Sequence, residues 1–161
     1  MNINELFQQQ KALDHNIIVN KKLQEKDLLK DKTVALICEL YECVNENRHF
    51  KFWSDRKSVE NRKDLLEEYI DTIHFTLSIA NDFGYHSHNY IHTCEINLNE
   101  LILNITNIAT ILPKSREKHH IHTLVNQVIQ LGYELGFTEE EVIYAYYKKN
   151  EINYTRQENG Y

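Results

Sequence analysis

Two pairs of acidic residues lie inside apolar stretches of the sequence, and the members of each pair are three residues apart. Glu39 and Glu42 form the first pair, and Glu68 and Asp71 form the second. Three residues rotate an α-helix by about 300°, so both carboxylates of a pair emerge on one face. If the two helices pack together, four carboxylates meet and repel one another unless a cation neutralises them. Oxygen ligands without cysteine favour Mg²⁺ or Mn²⁺ over zinc.

Two neighbours extend the first acidic pair. Glu46 returns to the same helix face seven residues after Glu39, and Asn45 lies beside it. A single Glu-x-x-Glu pattern more often marks a solvated helix face than a metal site. Two such pairs in apolar helices predict a hard-metal site supported by Glu46 and Asn45, but they name no substrate.

The elements that must position these acids are helical nearly throughout, because apolar residues recur at intervals of three and four. One proline and four glycines leave few turn signals for an all-β or α/β fold. The pattern predicts six helices, at residues 3–14, 31–47, 59–83, 91–112, 119–135 and 138–153. We therefore expect an all-α helical bundle that forms a single domain over residues 1–161.

Several residues mark the expected helix boundaries. Asp31 is the predicted N-cap of the second helix, and Gly84 suits a left-handed conformation after the third. Pro113 is expected to stop the fourth helix. Thr138 and Glu141 have the spacing of a capping box at the start of the last helix.

Composition narrows the function classes. The 18 cationic and 24 acidic residues give a net charge of −6, which argues against sequence-independent nucleic-acid binding. The N-terminus has no apolar segment of a signal peptide, and no apolar run approaches the ~20 residues that span a bilayer. Cys38, Cys43 and Cys94 show no Cys-x-x-Cys spacing and are expected to be reduced thiols. We therefore expect a cytoplasmic protein with no membrane and no nucleic-acid partner.

Five segments spread over the chain carry a family resemblance when taken in order. They are Gln10–Asp14, Glu39–Arg48, Phe50–Ser54, Glu67–Phe75 and Lys149–Tyr161. The ordered set strongly resembles the dimeric all-α dUTPase family, which is related to the MazG-like nucleotide pyrophosphatases. The resemblance implies a homodimer with its active site in a helix-lined cleft near the dimer interface.

The resemblance also assigns roles to the acids. Glu39, Glu42, Glu68 and Asp71 match the family's metal ligands and would hold Mg²⁺, with Mn²⁺ as a substitute, against the substrate phosphates. Family members hydrolyse dUTP, and often dUDP, to dUMP by attack of a metal-activated water. This activity limits uracil incorporation into DNA and supplies dUMP. Glu42 and Glu39 are both candidates for the catalytic base, and the sequence does not choose between them.

A cationic and amide group near the C-terminus is the candidate phosphate site. Lys149, Asn153 and Arg156 fall on one face if the last helix continues that far. Such residues also complement a helix dipole, but the resemblance favours phosphate binding. Arg48 and Lys51, which follow the first acidic pair, are further candidate phosphate contacts.

Base and sugar recognition is assigned by the resemblance to residues from four segments. Gln10, Trp53, His74 and Phe75 are the candidates for uracil, because an aromatic ring can stack on the base and an amide can read its edge. Asp14 is expected to contact the sugar or the base. Trp53 could instead be an amphipathic core anchor.

Rival interpretations rest on histidines or on the absence of catalysis. A zinc site would draw on histidines in two clusters, namely His86, His88, His92, His119, His120 and His122. A di-iron site would draw on Asp71 with His74 and on Glu117 with His120. The sequence is also compatible with a MazG-like or dCTP-type pyrophosphatase with another base preference, and with a non-catalytic helical interaction protein. A regulatory protein partner would fit any of these functions.

Overall fold

The computed structural model describes residues 1–56, 61–92 and 96–160, and these residues form helices and connections without a β-strand. Six helices follow one another along the chain: α1 Asn4–Asn20, α2 Leu29–Asn47, α3 Arg62–Asp82, α4 Leu98–Ser115, α5 Lys118–Glu134 and α6 Glu139–Glu158. The predicted all-α fold class is confirmed. Cys94, predicted to be a reduced thiol, and Tyr161, the last residue of the fifth segment, lie outside the described residues. None of the described helices is long and apolar enough to cross a membrane.

The central helix of the bundle is α3, which packs against α1, α2, α5 and α6, and its contact with α2 is the most extensive. From Tyr69 to Ala80 every side chain of α3 is buried except those of Asp71 and Phe75, which are half-buried. Apolar residues all round a helix require cover on every face. The two exceptions mark the part of α3 that borders a cavity.

A glycine allows α5 to approach α3 closely. The Tyr69 hydroxyl is fully buried and donates to the Val128 carbonyl over 3.0 Å. A Cβ atom at position 132 would lie 2.3 Å from that hydroxyl oxygen. Gly132 is therefore required by the packing of Tyr69.

Two predicted boundary signals are confirmed. Gly84 has φ +68 directly after α3, which a residue without Cβ adopts at little cost. At the start of α6 the Thr138 hydroxyl accepts from the Glu141 backbone over 3.2 Å, and Glu141 accepts from the Thr138 backbone over 2.9 Å. This capping box satisfies N–H groups at the beginning of the helix that carries Lys149 and Arg156.

Other boundaries differ from the prediction. Asp31 lies inside the first turn of α2, while Asp27 accepts from the Leu29 backbone over 3.2 Å, so Asp31 is not the N-cap. Pro113 lies inside α4, which continues to Ser115. A proline this close to the C-terminal end of a helix removes one helical hydrogen bond, and the helix can continue for a few more residues.

Three helix extents also differ. The helix α1 continues to Asn20 rather than ending at residue 14, and α6 continues to Glu158 rather than ending at residue 153. The helix α4 begins at Leu98, where the Asn97 side chain accepts from the Asn99 backbone over 2.8 Å, rather than at residue 91. The longer α6 places Arg156 within the helix, as its predicted role requires.

The connection after α3 is fixed by a closed hydrogen-bond network around His88. Its Nδ1 bonds the Tyr85 hydroxyl at 2.8 Å, and its Nε2 bonds the Asn126 side-chain oxygen at 3.0 Å. Asn126 also accepts from the Ile91 backbone N–H and donates to the Ile91 carbonyl, both over 2.9 Å. The His88 backbone donates to Asn4 over 2.7 Å. This network joins α1, α5 and the connection.

Candidate active site

Three of the predicted acids converge where α2 packs against α3. One carboxylate oxygen from each of Glu39, Glu42 and Glu68 lies within 4.8 Å of the others. They form the only group of three or more acidic, histidine or cysteine ligands found within residues 1–56, 61–92 and 96–160. Their positions follow from helix geometry, since the α2 pair is one turn apart and faces α3.

The acid group carries negative charge that the protein does not fully compensate. Burial raises the pKa of Glu39 to about 7, and Asp71, Glu42 and Glu68 contribute to this rise by like-charge repulsion. Burial and the neighbouring acids also raise the pKa of Glu68. Carboxylates in such surroundings favour a bound cation or proton. Their all-oxygen donor set fits a divalent metal of the Mg²⁺ type.

Asp71, the fourth predicted ligand, is engaged differently. Its Oδ2 lies 2.6 Å from the Lys149 ammonium, which is also 2.9 Å from a Glu67 oxygen. Burial raises the pKa of Asp71, while Lys149 opposes this shift. The Lys149 hydrogen bond lowers the pKa of Glu67. Lys149, predicted to bind phosphate, is thus the internal counter-ion of these two carboxylates.

A cavity of about 270 Å³ opens beside Glu39 and Asp71, toward α1 and α6. Its lining combines apolar and polar side chains from four helices, namely Gln10, Leu13, Asp14, Ile17, Glu39, Asp71, His74, Phe75, Ser78, Asn153, Arg156 and Gln157. The lining includes most of the residues predicted to bind base, sugar or phosphate. Mixed apolar walls with a few placed polar groups are typical of small-molecule sites.

The polar groups at one end of this cavity form a connected chain. The Gln10 amide nitrogen donates to Asp14 over 2.8 Å, and its oxygen lies 2.7 Å from His74 Nδ1. The Tyr146 hydroxyl donates to that same Gln10 oxygen over 2.8 Å. Burial lowers the pKa of His74 to about 3, so the ring is neutral. Gln10, His74 and Tyr146 are all buried.

A second cavity, of about 420 Å³, is bordered by Glu42 and Glu68, the two acids that do not line the first. It is lined by residues of α2 and α3, namely Cys38, Tyr41, Glu42, Asn45, Glu46 and Glu68. Asn45 and Glu46 therefore line the same cavity as Glu42 and Glu68, and their supporting role stays a prediction. The Lys51 ammonium donates to the Asn45 side chain over 2.6 Å and so lies at the edge of this cavity.

Two predicted site residues are not brought to the cavities by any contact of the described chain. Trp53 is 66% exposed and packs edge-on against Phe50 and Phe52. Arg48 has φ +61 at the end of α2, and its guanidinium donates to Ser54 over 3.1 Å. Both residues lie directly after α2 and contact neighbours within residues 48–54.

Sequence reasoning missed Glu67, Ser78, Tyr146 and Gln157 as residues of the site. Tyr146 was detectable, because it lies three residues before Lys149 and continues the face of α6 that carries Asn153 and Arg156. Glu67 lies four residues before Asp71 on α3, which places it on the same face. Its pairing with Lys149 depends on α6, so local spacing could not reveal it.

The rival histidine sites find no support in the described residues, since no three histidines converge there as metal ligands. His88 uses both ring nitrogens in hydrogen bonds. The residues of the possible di-iron site do not form a metal-binding group among the described residues either. Glu117 is the N-cap of α5, and the His120 ring bonds the Ser115 hydroxyl at 2.8 Å.

Similarity to a known family covers nearly the entire chain. The family model described as dUTPase matches residues 2–161. The chain belongs to the dUTPase family. It is therefore an enzyme, a hydrolase of the dUTP diphosphatase class, and the all-α architecture is that of this family. Members of the family use a divalent metal, which the acid group of Glu39, Glu42 and Glu68 suits. A search of curated proteins returned no match.

Proposed function

We propose that this protein hydrolyses dUTP, and also dUDP, to dUMP in a Mg²⁺-dependent reaction. Acting in the cytoplasm as one domain over residues 1–161, it limits uracil incorporation into DNA and supplies dUMP. The observation that carries the proposal is the meeting of Glu39, Glu42 and Glu68 beside a cavity with hydrogen-bonding and cationic walls.

The metal is assigned to the carboxylates that border the two cavities. Glu39, Glu42 and Glu68 would hold Mg²⁺, with Mn²⁺ as a substitute, and Asp71 would be the fourth ligand once it is released from Lys149. When bound, Mg²⁺ offsets charge on the phosphate oxygens and increases the acidity of water. The raised pKa values of Glu39 and Glu68 support this assignment, because burial and like-charge repulsion both disfavour the ionised carboxylates and a bound cation would offset both.

Proton transfer from the attacking water is assigned to the α2 pair. Glu39 borders the cavity that Arg156 lines, whereas Glu42 borders the second cavity. Replacing a glutamate by glutamine keeps an oxygen ligand but removes the basic carboxylate. The Glu39→Gln and Glu42→Gln variants therefore distinguish the catalytic base from the residue that is only a metal ligand. The base variant loses kcat at saturating Mg²⁺, and the ligand variant mainly requires more Mg²⁺.

Phosphate binding is assigned to α6. Asn153 and Arg156 line the cavity beside Glu39, and Lys149 reaches the rim through Asp71. A guanidinium, an amide and an ammonium on one helix face can hold several phosphate oxygens. Lys51, at the edge of the second cavity, and Arg48 are assigned supporting contacts with the phosphates.

The base and sugar are assigned to the end of the cavity where α1, α3 and α6 meet. Phe75 offers an aromatic face, while Gln10 and His74 offer polar edges and Asp14 contacts the sugar or base. Trp53, which is exposed, is assigned a stacking contact with the base. Asn45 and Glu46 support the acids from the second cavity.

A homodimer is part of the proposal. The face of α2 next to the acids exposes Val34 by 62% and Tyr41 by 42%, and Leu103 of the adjacent α4 is 62% exposed. Large apolar side chains grouped on one surface favour a protein partner. Sedimentation equilibrium should give the mass of two chains, and Val34→Glu should shift the protein toward a monomer. A wild-type mass of one chain at micromolar concentration excludes the dimer.

The activity test is a panel of nucleotides with Mg²⁺. dUTP, dUDP, dTTP and dCTP are each incubated with the protein, and release of dUMP, pyrophosphate and phosphate is measured. dUTP should have the highest kcat/KM, and chelation of Mg²⁺ should abolish turnover. Faster cleavage of dCTP than of dUTP would replace the proposal by a dCTP-type pyrophosphatase. A folded protein that hydrolyses none of these nucleotides would favour the alternative of a non-catalytic helical interaction protein.

A further inference from the structure

Tyr146 makes two contacts with the base-binding end of the cavity although it does not line the cavity itself. Its ring stacks on His74 with a centroid distance of 4.1 Å and an interplanar angle of 16°. Its hydroxyl donates to the Gln10 side-chain oxygen over 2.8 Å. The residue is fully buried, so this hydroxyl cannot exchange partners with bulk water.

The Gln10 amide has one favoured orientation in these surroundings. Its nitrogen faces the Asp14 carboxylate, which accepts, and its oxygen faces the Tyr146 hydroxyl, which donates. The opposite orientation would bring the amide oxygen against the carboxylate of Asp14. The carboxylate can only accept, and the buried Tyr146 hydroxyl has no other acceptor for its proton among the described residues, so both neighbours favour this orientation of the amide.

The fixed amide in turn determines the tautomer of His74. Because the Gln10 oxygen can only accept, the proton of the neutral imidazole must lie on Nδ1, which is 2.7 Å away. Nε2 then carries a lone pair. It is shielded from solvent and has no hydrogen-bond partner among the described residues. An unpaired buried acceptor is unfavourable, so a ligand that donates a hydrogen bond to it gains affinity.

We propose that Tyr146 is a positioning residue that, through Gln10, holds His74 with an Nε2 acceptor and so selects bases that carry an N3–H. Uracil has this donor, whereas cytosine presents an unprotonated ring nitrogen at the same position. A lone pair facing a lone pair is repulsive, so cytosine is rejected. The inference rests on the proposed function for the identity of the substrate. It assigns the uracil preference over cytosine to a residue outside the cavity lining.

The thymine base separates this effect from the size of the cavity. Thymine carries the same N3–H as uracil and differs only by its methyl group. Loss of the tautomer control should therefore weaken dUTP and dTTP together and leave dCTP unchanged or improved. A purely structural defect would weaken all three substrates by the same factor.

The test uses Tyr146→Phe, which keeps the stacked ring and removes the hydroxyl. The ratio of kcat/KM for dUTP to that for dCTP should fall about 3- to 10-fold, as expected for one buried hydrogen bond. The ratio for dUTP to dTTP should stay constant. Tyr144→Phe, at a 65% exposed position of the same helix, is the matched control and should change neither ratio. An unchanged dUTP-to-dCTP ratio in a folded Tyr146→Phe protein overturns the inference.

The tautomer is measured directly by ¹⁵N NMR of the histidine rings, with His74 assigned from the spectrum of His74→Gln. Wild-type protein should carry the proton on Nδ1, and Tyr146→Phe should show a mixture with the Nε2 tautomer. An Nε2 proton in the wild-type protein overturns the inference. This measurement needs no substrate. An Nδ1 proton in a protein that does not hydrolyse dUTP would therefore refute the proposed function but not the positioning role of Tyr146.

Discussion

His74 and His88 are two buried histidines of one small bundle, and they differ in how completely their rings are bonded. Each side chain is 5% exposed, and burial lowers the pKa of both. His88 bonds Tyr85 through one nitrogen and Asn126 through the other. His74 bonds Gln10 through Nδ1, while Nε2 has no partner within the described chain. Buried polar groups are normally satisfied, and His74 lines the cavity, so a ligand there would supply the partner that its Nε2 lacks.

The contrast extends to the surroundings of each ring. The connection around His88 satisfies its polar groups internally and joins three parts of the fold. The acid group near His74 leaves like charges together, with pKa values raised by burial and repulsion. A protein tolerates such strain where function requires it and gains stability elsewhere. The first region should therefore govern stability, and the second should govern activity.

The largest expected effect is on activity at the acid group. Glu39→Gln and Glu42→Gln should each lower kcat/KM for dUTP, and the variant that lacks the base should lose about 100- to 10,000-fold. The measurement is the initial rate of dUMP formation across a Mg²⁺ titration. Glu140→Gln, at an exposed position of α6, is the control and should retain the wild-type rate. Full activity in both acid variants would exclude the α2 pair from the chemistry.

A stability effect is expected at the His88 network. Asn126→Ala removes the partners of His88 Nε2 and of both Ile91 backbone groups. Unfolding in urea should show a loss of about 2–4 kcal/mol, since several buried bonds disappear at once. Asn104→Ala, on the exposed side of α4, should stay within about 0.5 kcal/mol of the wild type.

The activity of the same variant tests whether the two regions act independently. Below its unfolding temperature, Asn126→Ala should keep kcat and KM for dUTP, because no described contact joins the network to the acids. A fall in kcat comparable to that of the acid variants would show that the two regions are coupled.

The smallest effect is on the pH dependence of stability in the metal-free protein. The folded pKa of Glu39 is about 7, above its ordinary value of 4.5, so folding binds a proton between these values. The Glu39 contribution is favourable at low pH and is lost as pH rises toward 7. Glu39→Gln should therefore gain stability relative to the wild type, by about 1–2 kcal/mol at pH 8 after screening by solvent.

Thermal unfolding of both proteins at pH 5 and pH 8 measures this difference. The buried neutral histidines contribute the opposite trend, but they are common to both proteins and cancel in the comparison. Saturating Mg²⁺ at about 100 times its dissociation constant should stabilise the wild type by about 2.7 kcal/mol and reverse the order at pH 8. A gap that is independent of pH would mean that Glu39 titrates normally.

The predictions from sequence succeeded where the relevant contacts lie within one helix. The spacing of Glu39 and Glu42 places both on one face, and the Thr138–Glu141 capping box depends on four consecutive residues. They were less complete where partners come from different helices. The charge on Asp71 is balanced by Lys149, which is far away in the chain, and only the packing of α6 on α3 reveals this.

Local competition between neighbouring residues explains the remaining differences. Asp31 is a good N-cap by type, but Asp27 accepts from the first turn and the helix begins earlier. Trp53 was assigned to the base from its segment, but within this chain its ring packs on Phe50 and Phe52. The residue type determines which interactions a side chain can make, and its neighbours determine which of them it makes.

The length of α6 has a consequence for how the product leaves. Tyr146 contacts the proposed base end of the cavity through Gln10 and His74, and Arg156 lines its proposed phosphate end. The two residues are ten positions apart on one continuous helix, a distance of about 15 Å. A rigid helix of this length fixes the distance between the two ends of the site. On the proposed function, a triphosphate is long enough to contact Arg156 and the Gln10–His74 end of the cavity at once, whereas a monophosphate contacts only that end. We therefore expect dUMP to leave after cleavage, because the product is too short to contact both ends of the site.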